Sequence, residues 1–294
     1  MRARIFLGLA LVAFLVAVFS LFVGSLALRN APRVMSDLGA GSISIFSIVV
    51  AIIVSVTSLF REVEQKTIFP ILARPVRRAE YIVGKYAGTL LTLLVFICAD
   101  AGFVLMLVAK IAGTSALIAF GPGFAATAIM AFAAFRSSRA RTYGVIPWAV
   151  VMLAIGVAVS GAAPDERRLM ITSSLLTLLE VMIVTGFATL FASFSSPFLS
   201  ALFSLWVFIV GRSADQMAHL PKKLLGPFLV DAFAVLAKII PNLQIYVPAR
   251  ELLTGEAANA DTWRYMLTAA GTSAAWAVGF VVAACLVFEK RDFL

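Results

Sequence analysis

The sequence has few charged residues, a single histidine and almost no cysteine. Charged residues make up 13% of its 294 positions, while 62% are apolar. A soluble globular protein carries about 25% charged and roughly 45–50% apolar residues. So much apolar surface exceeds what a soluble core can bury. The composition therefore excludes a soluble enzyme and indicates a membrane protein.

The shortage of cysteine and histidine also limits metal and catalytic chemistry. Cys98 and Cys285 lie far apart in long apolar runs, which excludes a disulfide framework and a cysteine-built zinc site. The methionines show no repeated spacing that would suit copper, so we predict no metal site. Neither a zinc-protease pair nor a nucleophile elbow occurs, and no catalytic residue is predicted.

Eight stretches are apolar and long enough, or nearly so, to cross a membrane, which takes about 20 residues. They are 5–28, 42–60, 86–109, 114–135, 143–161, 171–193, 198–210 and 265–288. The chain is thus predicted to form a single transmembrane domain over 1–294, an all-helical polytopic bundle of about eight spans.

Two of these spans admit a second interpretation. The first is long for a secretory signal, so an uncleaved anchor is favoured. The fourth contains Gly121, Pro122 and Gly123, which can break a helix. A re-entrant hairpin is therefore the alternative to a full span within 114–161.

The distribution of lysine and arginine predicts that both chain ends lie on the cytoplasmic side of the inner membrane. The chain carries 24 basic and 15 acidic residues, and the basic ones are densest in the short segments on that side. We therefore attribute the positive charge to topology and expect membrane lipid, and no nucleic acid, as a partner. The long outer segment 211–264 shows the pattern of an amphipathic helix at the membrane surface, ending at Pro241.

The inside segment 61–85 is the most charged part of the chain. Pro70 can begin a short helix, and Pro75 disfavours a helical conformation of the residue before it. A short piece, 70–73, is thus bracketed by two breaks and sits in an apolar patch with a charged rim, which is typical of a protein-binding site. The alternative is a solvated connector that follows the positive-inside rule. The apolar residues are Ile68, Phe69, Ile71 and Leu72.

A longer pattern runs through this segment and recurs beyond it. Its residues are Glu62, Glu64, Thr67, Ile68, Leu72, Arg74, Pro75, Arg78, Glu80, Gly84 and Lys85, with later similarities at Glu180, 193–197, 241–243 and 288–292. The pattern resembles the signature of ABC-2 type transporter permeases, in the branch often labelled multi-copper-enzyme maturation permeases. Two departures are Lys66, where many members have glycine, and the added pair of spans in 114–161.

The resemblance implies a coupling helix that docks on a separate ABC ATP-binding subunit. The residues that it assigns to ATPase coupling are Glu62, Glu64, Thr67, Ile68, Leu72, Arg74, Pro75 and Arg78. It also implies a second permease copy, either identical or homologous. No phosphate-binding loop occurs in the sequence, so ATP and Mg²⁺ are expected on the partner and no cofactor on this chain.

Four further residues within or beside the spans stand out. Asp100 and Glu180 lie in predicted spans, where an ionised carboxylate costs about 2.5–3.5 kcal/mol. They are expected to face protein or a wet cavity, either along a substrate path or in contacts between helices. Gly84 and Gly88 form a face of small residues that can pack closely on another span, with packing inside the chain the expected use.

These features together predict the permease subunit of an ABC exporter. A path with few charges suits a hydrophobic or amphipathic substrate. Two alternatives stay open: a scaffold that the ATPase drives for mechanical work or protein maturation, and an ion-coupled secondary transporter that uses Asp100 and Glu180.

Overall fold

The protein is built from α-helices. The computed structural model describes residues 30–64, 77–218, 240–255 and 261–290, with the backbone alone at 61–64 and 217–218. Over these ranges no strand occurs, which confirms the predicted all-helical class. The helices are α1 (Ala31–Glu64), α2 (Arg78–Ile111), α3 (Ala116–Arg136), α4 (Ser138–Tyr143), α5 (Val145–Val159), α6 (Pro164–Phe194), α7 (Pro197–Ala218), α8 (Arg250–Thr254) and α9 (Thr262–Glu289).

Seven helices in the described ranges are long and apolar enough to cross a membrane. They are α1, α2, α3, α5, α6, α7 and α9, and they correspond to the second to eighth predicted spans. The first predicted span, 5–28, lies outside the described residues.

The fourth predicted span is one continuous helix. α3 runs through Pro122 without interruption, so the structure does not contain the re-entrant hairpin that its glycines and proline allow. Transmembrane helices tolerate proline because neighbouring groups can satisfy the freed backbone. Gly123 also serves packing, since an added Cβ there would lie 2.8 Å from the sulfur of Met106.

Several helices extend beyond the apolar stretch that reveals them in the sequence. α1 and α6 begin several residues earlier than predicted, and α7 continues eight residues past Val210. Apolarity marks only the part of a helix that faces lipid or other spans, whereas the backbone bonds continue into polar turns. Such polar starts are well formed: Asp261 caps α9 by accepting from the backbone nitrogens of Trp263 and Arg264.

The predicted outer segment 211–264 combines several elements. Residues 211–218 complete α7, whereas 219–239, which carry most of the predicted amphipathic pattern, lie outside the described residues. Residues 240–249 form a loop containing a single 3₁₀ turn, Gln244–Tyr246, and α8 follows it.

The chain divides into two compact units. In the first unit, helices α2 and α5 are in close contact at two glycines. An added Cβ on Gly102 of α2 would lie 2.4 Å from the carbonyl oxygen of Met152 of α5, and one on Gly156 would lie 2.5 Å from that of Gly102. Glycine permits this close approach of two backbones. This unit comprises Met1–Val50, Leu91–Leu178 and Arg250–Ala260.

The second unit contains an apolar cluster to which four helices contribute. Within it, the rings of Tyr81 and Phe288 stack with their centroids 5.8 Å apart. We call this set the foot cluster; its members are Leu59 of α1, Tyr81 and Ile82 of α2, Ala192 of α6, and Ala284 and Phe288 of α9. The unit comprises Ala51–Leu90, Leu179–Ala249 and Asp261–Leu294.

The close helix packing expected at Gly84 and Gly88 is not found within the described part of the chain. Both residues are exposed, and an added Cβ at either would meet no atom within 4 Å. Sequence spacing identifies a face of small residues but not the helix that covers it. Among the described residues, two helix backbones approach closely at Gly102 and Gly156 instead.

Candidate functional site

Most of the predicted coupling residues fall in the part of segment 61–85 that the structure does not describe. These are Thr67, Ile68, Leu72, Arg74 and Pro75, together with the side chains of Glu62 and Glu64. The backbone of the two glutamates completes the last turn of α1. Their assignment to ATPase coupling stays a prediction.

Arg78 is the coupling residue whose side chain is described. It begins α2, and its Nη1 donates to the carbonyl oxygen of Glu289 at 2.8 Å. That carbonyl lies at the end of α9, where the last four carbonyl groups lack a partner within the helix. A cation is favoured there by the helix dipole. Arg78 therefore fastens the start of α2 to the end of α9.

Further contacts hold the first turns of α2. The backbone nitrogen of Arg77 donates to Oε2 of Glu80 at 3.2 Å, as in a capping box. The hydroxyl of Tyr86 donates to the carbonyl oxygen of Met182 in α6 at 3.0 Å. With the foot cluster, these bonds connect the end of segment 61–85 to α6 and α9.

Glu180 lies fully buried in α6 with an arginine opposite it. Its Oε1 lies 3.3 Å from Nη1 of Arg212 in α7, and the Arg212 guanidinium lies 5.8 Å from the centre of the Phe208 ring. The Arg212 side chain keeps 22% of its surface exposed. A nearby opposite charge compensates part of the cost of burying the carboxylate.

Sequence reasoning missed Arg212 because the predicted span ended at Val210. A span of 13 residues, 198–210, is shorter than the roughly 20 that a crossing helix needs. Extending it to that length would have placed Arg212 inside the span. An arginine there requires a partner, and Glu180 of the preceding span was one of two intramembrane carboxylates available.

Asp100 lies in α2 and belongs to the first unit, whereas Glu180 belongs to the second. It is buried, at 8% exposure. Its Oδ2 has no hydrogen-bond partner among the described residues. A buried polar atom without a partner costs roughly 1–3 kcal/mol. A polar group brought within hydrogen-bond distance of Oδ2 would therefore recover part of this cost.

The run Pro241-Asn242-Leu243, noted from the sequence, closes a tight loop on α7. The backbone nitrogen of Leu243 donates to the carbonyl oxygen of Gly211 at 2.9 Å. Oδ1 of Asn242 accepts from the nitrogen of Gln244 at 2.9 Å. An added Cβ on Gly211 would lie 2.7 Å from the carbonyl oxygen of Pro241. This run therefore positions the loop beside Arg212.

Tyr246 follows in the same loop and binds α9. Its hydroxyl donates to the carbonyl oxygen of Ala269 at 3.2 Å. Burial raises the pKa of Tyr246 to about 12, with Ser273 lowering it and the charge of Glu180 raising it. The hydroxyl thus stays protonated and keeps its role as a donor.

A second charged cluster joins three segments of the first unit that are distant in sequence. Arg250 of α8 forms ion pairs with Glu166 of α6 and Asp37 of α1, and Ser36 donates to Glu166. Burial by itself would lower the pKa of Arg250, but its hydrogen bond with Glu166 and the charge of Asp37 outweigh that effect and raise it. Sequence reasoning missed this cluster because no local spacing relates its members.

Across the described residues, no group of three or more His, Cys, Asp or Glu side chains is arranged to hold a metal ion.

Comparison with protein families shows which family this chain resembles. The model of a family described as ABC-2 family transporter protein matches residues 19–293. The match spans nearly the whole chain, including the segment 61–85. Neither the curated proteins nor the solved structures yield a match.

Proposed function

The chain belongs to the ABC-2 transporter family, and we propose that it is the membrane-spanning permease subunit of an ATP-driven exporter. In this proposal a separate ATPase subunit binds ATP and Mg²⁺ and docks on segment 61–85. The supporting observation is that this segment joins the end of α1 to the start of α2. Residues near both of these ends pack against α6 and α9. The chain itself contributes movement and a path, and the chemistry takes place on the partner.

The two helices are long enough to carry motion out of the membrane. α1 and α2 each contain 34 residues, which at about 1.5 Å per residue gives roughly 51 Å. The hydrocarbon core is only about 30 Å thick. Both helices therefore extend beyond the core, and their adjacent ends carry the segment on which the ATPase would act.

The foot cluster explains how a displacement of segment 61–85 would be transmitted to other helices. Leu59 lies near the end of α1, and Tyr81 and Ile82 lie near the start of α2, all in one apolar cluster with residues of α6 and α9. Arg78 adds its bond to the end of α9. Because packed cores shift between discrete arrangements rather than deform gradually, a displacement of the segment would move these four helices together.

The intramembrane carboxylates have different surroundings, which supports different roles. Glu180 lies opposite Arg212, an arrangement that favours helix packing. Asp100 forms no ion pair with a described residue, and its buried Oδ2 has no hydrogen-bond partner among them. We therefore assign the polar contact with a hydrophobic or amphipathic substrate to Asp100 rather than to Glu180.

A second copy would complete the path. Gly84 and Gly88 lie on an exposed face of α2, with nothing described within 4 Å of an added Cβ. Small residues let helices in lipid approach closely. We assign this face to contact with the second permease copy.

The experiment is purification of the tagged full chain from its native membrane in mild detergent. We expect a phosphate-loop ATPase to co-purify and hydrolyse ATP. Arg74→Glu should abolish both the co-purification and the ATP hydrolysis, because it reverses a charge in segment 61–85. The matched control is Arg264→Glu, which reverses an exposed charge at the start of α9 and should leave both intact.

Three results would contradict the proposal. Binding and hydrolysis unchanged by Arg74→Glu would remove the coupling role from segment 61–85. Transport by the chain without any ATPase would favour the secondary transporter and make Asp100 central. An ATP-hydrolysing complex that moves no substrate but holds an extracytoplasmic protein would favour the scaffold.

A further inference from the structure

The connection between α3 and α5 carries positive charge and no negative charge. We call residues 136–143 the cationic elbow; they contain Arg136, Arg139 and Arg141. No aspartate or glutamate occurs between Asp100 and Asp165. The elbow therefore has no acidic residue in the neighbouring sequence to offset its charge.

The three arginines are exposed, and none forms an ion pair with a described residue. The Arg136 guanidinium lies 5.6 Å from the centre of the Phe132 ring, a contact that leaves its charge uncompensated. The charges of Arg78, Arg212 and Arg250, by contrast, each meet a carbonyl or a carboxylate. The elbow thus presents cations that the described protein does not neutralise.

The elbow has an ordered backbone rather than a loose loop. Its turns are closed by backbone hydrogen bonds from Ser137 to Ala133 at 2.9 Å, from Arg141 to Ser137 at 3.1 Å and from Gly144 to Ala140 at 2.9 Å. An added Cβ on Gly144 would lie 2.8 Å from the terminal methyl of Met130 in α3. The arginines are therefore carried on a backbone of fixed shape.

Exposed aromatic residues border the arginines. Phe132 is 63% exposed, Phe135 86% and Tyr143 67%. α3 is apolar and long enough to cross a membrane, and most of its surface is left uncovered by the described part of the chain. Tyrosine is enriched at the boundary between acyl chains and head groups, and lysine and arginine gather in the short loops beside the spans.

We propose that the cationic elbow is a binding site for the head groups of anionic phospholipids in the adjacent leaflet. Phe132 and Phe135 contact the acyl chains, and the three arginines contact phosphate. A docked soluble protein would explain the charge but not the continuous apolar and aromatic surface that leads to it. The occupant is thus a lipid, and the site lies outside segment 61–85.

The test measures how strongly the full chain, reconstituted in neutral vesicles, binds two spin-labelled lipids. One is the anionic phosphatidylglycerol and the other is phosphatidylcholine. Electron paramagnetic resonance gives the fraction of each that the protein immobilises. We expect phosphatidylglycerol to be preferred at low salt. Each arginine should contribute up to about fivefold, and salt should weaken the preference.

Three variants distinguish an effect of the arginine charges from an effect of misfolding. The triple variant Arg136→Gln, Arg139→Gln, Arg141→Gln should lose the preference, and the triple lysine variant should retain most of it. A matched control, Arg167→Gln with Arg264→Gln, removes two basic residues elsewhere and should behave as wild type. Equal binding of both lipids by the wild type would overturn the proposal. An unchanged lipid preference in the glutamine variant would also overturn it. If that variant kept its lipid preference but no longer bound the ATPase subunit, the elbow would be a protein-docking surface instead.

Discussion

At the scale of single residues, the buried ion pair of Glu180 and Arg212 makes a contribution to stability that can be tested. Glu180 has no exposed surface, and its cation lies on the next helix. The cost of a buried charge depends on whether the opposite charge is present, so removing one partner is worse than removing both. This asymmetry can be measured.

We predict that Arg212→Met lowers the free energy of unfolding by about 3–5 kcal/mol, because it leaves the Glu180 carboxylate buried without its cation. The measurement is thermal unfolding of the purified chain in detergent. The double variant Glu180→Leu with Arg212→Met should recover most of the loss. A double variant as unstable as Arg212→Met alone would show that the pair contributes through packing rather than charge.

At the scale of helices, the two groups of glycines in α2 differ in what surrounds them. Gly102 touches the backbone of α5, whereas Gly84 faces open space in the described structure. The same substitution should therefore have opposite effects at two positions of one helix.

We predict that Gly102→Ala destabilises the chain by about 1–3 kcal/mol or more, because its Cβ would meet a backbone oxygen that cannot rotate away. For the single chain, Gly84→Ala should be neutral or stabilise by about 0.5–1 kcal/mol, since no described residue meets the added methyl and alanine is the better helix former. Chemical or thermal unfolding of the two variants side by side is the measurement. Equal destabilisation would mean that Gly84 is also closely packed.

For the whole molecule, the ion pairs agree with the predicted alternation of segments. Asp37, Glu166 and Arg250 fall in three segments that the sequence assigns to the outer side, and the structure brings them together. Arg78 and Glu289, both assigned to the inside, are likewise bonded. Each contact joins residues of segments that the sequence assigns to the same side, and labelling can test that assignment.

We predict that Asp165→Cys reacts with a membrane-impermeant thiol reagent in intact cells, and that Ser138→Cys reacts only after permeabilisation. Both positions are exposed and flank α5. The background carries Cys98→Ser and Cys285→Ser, which removes the native thiols. The reverse pattern would invert the orientation, and labelling of both positions in intact cells would show that α5 does not cross the membrane.

The sequence by itself determined the class of protein, seven helices that the structure confirms, and the family. Long apolar runs report spans directly, because lipid leaves the backbone no hydrogen-bond partner outside a helix. The pattern around Arg74 that resembles the family signature is local in sequence, so the resemblance could be recognised without a structure.

Only the tertiary structure decided how the separated polar residues pair. Arg212 meets Glu180 because α7 continues past its apolar part, and Arg250 joins Asp37 and Glu166 across three distant segments. It also placed the close packing at Gly102 rather than Gly84. Periodicity identifies the face of a helix, but which neighbour covers that face depends on long-range packing that no local pattern encodes.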